Sequence, residues 1–150
     1  MAVTGLRAFL RRHRRIAVDS SIFIYHLEGS PGYGGLANEV FEWIETPGHA
    51  AVTSTVSMLE IVVQPYGEAN EELAILYYGL LSRYPHLEWI APSLEIADIA
   101  ARLRARHRLK TPDALQAATA IKGRATGLVT NDAAFEGVEL LETAVLDRLA

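Results

Sequence analysis

The chain has 150 residues, half of them hydrophobic, with a formal net charge of −4 and no cysteine. That length suits a single domain whose core is stable without staples, and the missing thiols exclude disulfides, thiolate nucleophiles and cysteine-bound zinc, in keeping with a reducing cytoplasm. The negative balance excludes attraction of a polyanion by bulk charge, so any nucleic-acid contact has to be local. The apolar stretch over Ala74 to Leu81 is far short of the roughly 20 residues of a membrane-spanning helix. The arginines at 7, 11, 12, 14 and 15 precede neither a long apolar segment nor a small-residue cleavage site, so no signal peptide is expected.

Residues 1–15 read as a basic N-terminal extension of one domain spanning 1–150. The apolar run Ile16-Ala17-Val18 then stops at Asp19-Ser20-Ser21 before apolar spacing resumes. This pattern predicts a buried strand ending in a carboxylate, with Ser20 or Ser21 capping a helix through Ile22, Phe23 and Tyr25. Asp19 at a strand's carboxyl end is placed for site chemistry, and is equally well placed as a helix N-cap. A Gly- and Pro-rich loop, Gly29 to Gly35, leads to a helical pattern from Leu36 to Ile44.

Ala50 to Val52 reads as a second strand, and Thr53, Ser54 and Thr55 offer capping groups for a helix through Val56, Leu59, Glu60, Ile61 and Val63 that Pro65 and Gly67 should stop. A helix over about 70–83, a strand at Leu87 to Ile90 and a helix from Leu94 to about His107 follow. Pro112 preorganises the start of an alanine-rich helix over Asp113 to Arg124. Leu128 to Thr130 is predicted as a strand with Asn131-Asp132 at its carboxyl end, then a last strand at Val138 to Leu141 and a short terminal helix. Strands alternating with helices predict a three-layer α/β/α domain on a central parallel sheet.

The order has a geometric consequence. A helix opening at Asp113 crosses the sheet, and the strand ending at Thr130 returns to the edge it left, so Asp113 and Asp132 share that edge with Asp19. Glu60, one and a half to two turns into its helix, is close enough to lean in beside them. Four carboxylates in one crevice raise one another's pKa, and a divalent cation relieves this. Oxygen ligands without Cys or suitably spaced His favour magnesium or manganese. Each acid also has a local reading: Ser57 to Glu60 matches a capping box, Asp113 complements a helix dipole, and Asn131-Asp132 fits a turn. Separate caps need not share an edge, whereas a metal site must.

The segments Val18-Asp19-Ser20-Ser21 with Phe23-Ile24-Tyr25, Ser57-Met58-Leu59-Glu60, Pro112 to Ala120, and Thr130-Asn131-Asp132 with Phe135 resemble a PIN-domain protein, most of all the VapC-type toxin branch. The resemblance spans about Ile16 to Leu141. It implies a PIN-like fold and a Mg²⁺- or Mn²⁺-dependent ribonuclease site built from Asp19, Glu60, Asp113 and Asp132. By position, Asp19 and Asp113 would bind metal most directly, Asp132 would be a further ligand, and Glu60 would complete the acidic pocket. It further implies a small antitoxin protein as partner.

Phosphodiester hydrolysis suits such a site, with Ser20 and Thr130 as hydrogen-bond partners behind the acids or on phosphate. The basic run Arg102, Arg104, Arg106, His107, Arg108, Lys110 should end beside the crevice, making Arg104, Arg108 and Lys110 candidates for holding RNA. Arg102, Arg106 and Lys110 also recur as a solvated helix face would. The apolar positions Phe23, Ile24, Tyr77, Tyr78, Leu80 and Leu81 predict a homodimer or a complex with the antitoxin. Two rivals stand beside this reading. A phosphoacceptor receiver domain needs paired acids after its first strand and a late lysine, and here Asp19 is alone and Lys122 lies within a helix. A catalytically silent PIN-fold binding module need not have kept all four acids.

Overall fold

The structure, a computed structural model, describes residues 2–149. The elements run α1 (Ala2–Arg11), β1 (Arg15–Val18), α2 (Ser20–Glu28), α3 (Gly34–Glu45), β2 (Ala50–Ser54), α4 (Thr55–Gly67), α5 (Glu71–Ser82), β3 (Leu87–Ile90), α6 (Leu94–Arg106), α7 (Thr111–Lys122), β4 (Gly127–Thr130) and β5 (Glu142–Val145). Single 3-10 turns cover Ala133–Gly137 and Leu146–Arg148. All five strands pair in parallel, in the order β3-β2-β1-β4-β5. The chain therefore winds outward from β1 to β3, then crosses back to β4 on the other side of β1. The carboxyl ends of β1 and β4 flank this reversal, where open α/β sheets place ligands.

Strand residues alternate between two cores. Ile16, Val18, Ala51 and Val129 face a cluster with Leu6, Phe9, Ile22, Phe23, Phe41 and Ile44, while Ala17, Val52 and Leu128 face one built from α6, α7 and Phe135. Both faces are covered, which is why β1 and β4 read as unbroken apolar runs. On the second face Ala114, Ala117, Ala118 and Ala120 are fully buried, so α7 lies close against the sheet. Among the described residues no helix is long and apolar enough to cross a membrane.

The basic extension is part of the fold. Leu6, Phe9 and Leu10 of α1 are buried at helical spacing, each contributing about 1.5–3 kcal/mol if fully removed from water. Gly127 at the start of β4 is the floor on which α1 sits, since a Cβ there would lie 2.8 Å from Phe9 Cζ and 3.0 Å from the His13 ring. His13 bonds Thr126 Oγ1 at 2.7 Å and Glu142 Oε1 at 2.5 Å. Arg12 also pairs with Glu142, Arg7 with Glu39, and Arg15 with Glu88. Arg12 and Arg15 thus stand at the amino edge of the sheet, opposite the edge where Asp19 and Asp132 lie.

Two expected elements differ, and one of the two expected caps of α2 is selected. The last strand is Glu142–Val145, not Val138 to Leu141: Val138 and Leu141 are three apart and plug the second core from a turn, while Glu142 N–H bonds the Thr126 carbonyl at 3.1 Å and continues the ladder. Pro65 lies within α4 instead of stopping it. An interior proline costs about 3 kcal/mol, but this one falls near the last turn with its ring buried. The cap of α2 is Asp19 itself, accepting from Ser21 N–H at 3.1 Å.

Candidate active site

Asp19 leaves β1 at the sheet's carboxyl edge and is only 8 % exposed. Its Oδ1 accepts from the Ser21 backbone and, at 2.5 Å, from the Ser21 hydroxyl, while Thr130 Oγ1 donates to Oδ2. The hydroxyl on Asp19 is thus that of Ser21; Ser20 opens the helix beside it. Thr130, fully buried at the end of β4, also accepts from the Asp132 backbone N–H at 3.1 Å, so one side chain ties the first acid to the last. Burial pushes the Asp19 carboxyl up to about 6, against the lowering effect of its hydrogen bonds to Ser21 and Thr130.

Asp113 sits in the first turn of α7, half-exposed. Its pKa is raised first by burial, then by the negative charges of Asp132 and Glu60, with Lys110 opposing. Three of the four predicted acids therefore share one field, and Asp19 joins Asp132 through Thr130. Asp132 is exposed and also caps the following 3-10 turn, accepting from Ala134 N–H at 2.9 Å. Glu60 is not the end of a capping box: α4 is capped by Ser54, and the Ser57 hydroxyl is engaged by Thr53 and Gln116.

Among the described residues no arginine, lysine or histidine forms an ion pair with any of the four acids. A buried, unpaired carboxylate beside a mutually repelling set is costly unless a cation joins it. Among the described residues no group of three or more His, Asp or Glu side chains is placed to hold a metal ion. Asp113, Asp132 and Glu60 share one negative field and Asp19 stands at the same sheet edge, so the donors available to a cation there are carboxylate oxygens, the type that Mg²⁺ or Mn²⁺ takes.

The basic run divides. Arg104 is engaged within the chain, donating to the Leu109 carbonyl at 3.1 Å and to Thr111 Oγ1 at 3.0 Å, and so braces the start of α7. Arg102 pairs with Asp98 on its own helix. Arg108 and Lys110 are exposed in the connection that leads to Asp113. Sequence reasoning missed the rim beside Asp132, where Asn131 bonds the Tyr25 hydroxyl and the Asp147 backbone, and Tyr33 bonds Asp147. It also missed a polar chain under the site, through Gln116, Ser57 and Thr53. A buried glutamine in an alanine-rich helix was the available signal.

A parallel five-stranded sheet with acids at the carboxyl ends of β1 and β4 and at the start of α7 defines a PIN-like α/β/α domain. The PIN domain family model matches residues 16–140, and the chain belongs to that family. Its fold is similar to VapBC-1 from nontypeable Haemophilus influenzae, with a TM-score of 0.67 and 20% identity over 89% of this chain and 98% of that one. A toxin–antitoxin complex from Klebsiella pneumoniae gives a TM-score of 0.62 and 24% identity over 84% and 94% of the two chains. The Mycobacterium tuberculosis toxin VapC20, described as cleaving the sarcin–ricin loop, gives 0.60 and 18% over 75% and 86%. No curated protein matches the chain in sequence.

Proposed function

We propose that the protein is a divalent-metal-dependent endoribonuclease and the toxin of a toxin–antitoxin pair, acting in the cytoplasm. The observation that carries the reading is the buried, unpaired Asp19 tied through Thr130 to Asp132, beside Asp113 in the field of Glu60 and Asp132. Membership of the PIN family and a fold shared with toxin–antitoxin proteins support it.

Asp19 and Asp113 would hold Mg²⁺ or Mn²⁺ most directly, with Asp132 as a further ligand. The bound ion would supply a polarised phosphoryl oxygen and a water of lowered pKa. Ser21 and Thr130 orient the Asp19 carboxylate by hydrogen bonds to each oxygen. Glu60 adds negative charge that favours a cation and disfavours naked phosphate. Arg108 and Lys110 draw the RNA backbone toward the crevice; Arg104, occupied within the chain, contributes by holding the start of α7 in place.

The test is cleavage of a single-stranded RNA oligonucleotide with Mg²⁺ or Mn²⁺ and with excess EDTA, together with RNA binding to the Asp113→Asn protein across a salt series at fixed Mg²⁺. Cleavage should require the metal, and replacing Arg108 and Lys110 by Ala should reduce the log–log salt slope by about 0.7 for each phosphate no longer held. Cleavage that persists in EDTA would sink the metal mechanism. Metal-dependent RNA binding without cleavage would favour the silent module.

A partner surface accompanies the site. Phe23 and Leu81, expected at an interface, are core residues, and Ile24 and Tyr77 are half-buried. On α4 and α5 the exposed large apolar residues are Leu59, Val63, Tyr66, Ile75, Leu76, Tyr78 and Leu80, and Leu59, Tyr66 and Tyr78 join Met58, Val62 and Trp89 in lining a groove of about 540 Å³. A patch of this kind on a small chain marks a protein interface. In light scattering at micromolar concentration the protein should exceed monomer mass or co-purify with a small antitoxin. A monomer with no companion removes both assemblies.

A further inference from the structure

Beneath the acids runs a line of hydrogen bonds. Gln116 Nε2 donates to Ser57 Oγ at 2.6 Å, Ser57 and Thr53 hydroxyls lie 2.7 Å apart, and Thr53 Oγ1 donates to the Val18 carbonyl at 2.7 Å. Its protons have one arrangement. The amide N–H can only donate and the carbonyl can only accept, so Ser57 must pass its proton to Thr53 and Thr53 to Val18. Every member is buried: Ser57 fully, Thr53 1 % exposed and Gln116 4 % exposed. No buried side-chain nitrogen or oxygen among the described residues lacks a partner. Buried polar chains with a single proton order favour one arrangement of the elements they join.

The chain joins the elements that carry the acids. Val18 directly precedes Asp19, Ser57 lies three residues before Glu60 on α4, and Gln116 three residues after Asp113 on α7. Three residues along a helix is nearly one turn, so each bonded side chain lies on roughly the same face as its acid, one level away. We infer that Gln116, Ser57 and Thr53 are positioning residues, a buried strut that sets where Asp19, Glu60 and Asp113 stand relative to one another for metal binding and catalysis. The inference rests on the nuclease reading. The energetic logic is local. An apolar side chain at 116 would leave α7 and α4 free to settle at a spacing chosen by packing alone, because the alanines around it offer no directional contact.

The decisive comparison is at Thr53, where two substitutions separate hydrogen bonding from packing. Thr53→Val keeps the shape and removes the hydroxyl, whereas Thr53→Ser keeps the hydroxyl and removes a methyl. Gln116→Leu is the companion variant on α7. For each, cooperative unfolding is confirmed, Mn²⁺ affinity is measured by electron paramagnetic resonance of the free ion, and kcat and KM are measured on an RNA oligonucleotide. Partners that orient metal ligands are worth about 10–100-fold in affinity or activity. Thr53→Val and Gln116→Leu should weaken Mn²⁺ binding and lower kcat within that range, leave KM for RNA nearly unchanged, and be rescued at position 53 by Ser. A packing role predicts the reverse order, with Ser worse than Val, and lowers stability without moving the affinity or kcat of the folded protein. Wild-type protein that binds Mn²⁺ and cleaves RNA, with Thr53→Val equal to it or Thr53→Ser as impaired as Thr53→Val, overturns the strut alone. Wild-type protein that neither binds Mn²⁺ nor cleaves RNA overturns the nuclease reading and the strut with it.

Discussion

Asp19→Asn and Asp113→Asn should each lower kcat on RNA by at least about a hundredfold, the lower part of the range for removing a group that acts directly in the chemical step. Each change removes a charge at nearly constant volume. The two variants should differ in stability, which makes the pair diagnostic. Asp19 is buried with its oxygens on Ser21 and Thr130. Asn can keep the bonds from Ser21, and its amide can donate to a rotated Thr130 hydroxyl. A buried charge with no cationic partner is thereby removed, so metal-free Asp19→Asn should melt above the metal-free wild type at neutral pH while being nearly inactive. Asp113, half-exposed, should gain less. The assay is RNA cleavage under saturating Mg²⁺, with melting of the same preparations in EDTA. Wild-type rates in either variant would leave that residue as a helix cap only.

The second large effect is on stability against pH. Asp19 rises from 3.8 to about 6 on folding, so the native state holds its proton more tightly than the unfolded chain. Its contribution is complete below the unfolded value and is lost as pH rises through about 6. A shift of that size corresponds to about 3 kcal/mol, or roughly 10 °C in Tm for a chain of this length. Asp113 moves in the same direction. Glu142 moves oppositely: Arg12 first, and His13 with it, hold its carboxyl below the ordinary value, so its contribution is lost only as pH falls into the acid range. In EDTA, the wild type should therefore lose stability relative to Asp19→Asn between about pH 4 and 7. Mn²⁺ at pH 7 should restore the wild type and leave the variant unmoved, since a ligand that binds the native state stabilises it by mass action. A pH-independent gap between the two proteins would mean that Asp19 carries no buried charge.

Much of the site was legible because its residues sit at element boundaries, where residue type is informative. An apolar triplet stopping at Asp19, a proline-opened helix at Asp113 and a strand ending in Thr130-Asn131-Asp132 each mark a position along the fold, and four strands follow from the apolar runs alone. The features that escaped are those that only three dimensions specify. The apolar spacing of Leu6, Phe9 and Leu10 is plain once α1 is seen, but the arginines around it made the segment read as charge. β5 was misplaced because Val138 and Leu141 look like strand residues, whereas backbone pairing with β4 selected the more polar Glu142–Val145. Thr53 and Ser57 read as helix-capping chemistry, and nothing local says that a glutamine 59 residues beyond Ser57 would join them.

The hydrogen bond between Thr130 and Asp19 spans 111 positions, and the one that fastens His13 to Glu142 spans 129. Closing loops of that size is entropically slow, and such pairings come late in folding. A ribosome making this chain therefore presents Asp19 and Glu60 long before Asp113 and Asp132 exist, and the clasp between His13 and Glu142 only once β5 has been made. Under the nuclease reading, a chain that has not yet reached Asp132 holds an incomplete set of acids, and activity waits on the second half of the fold.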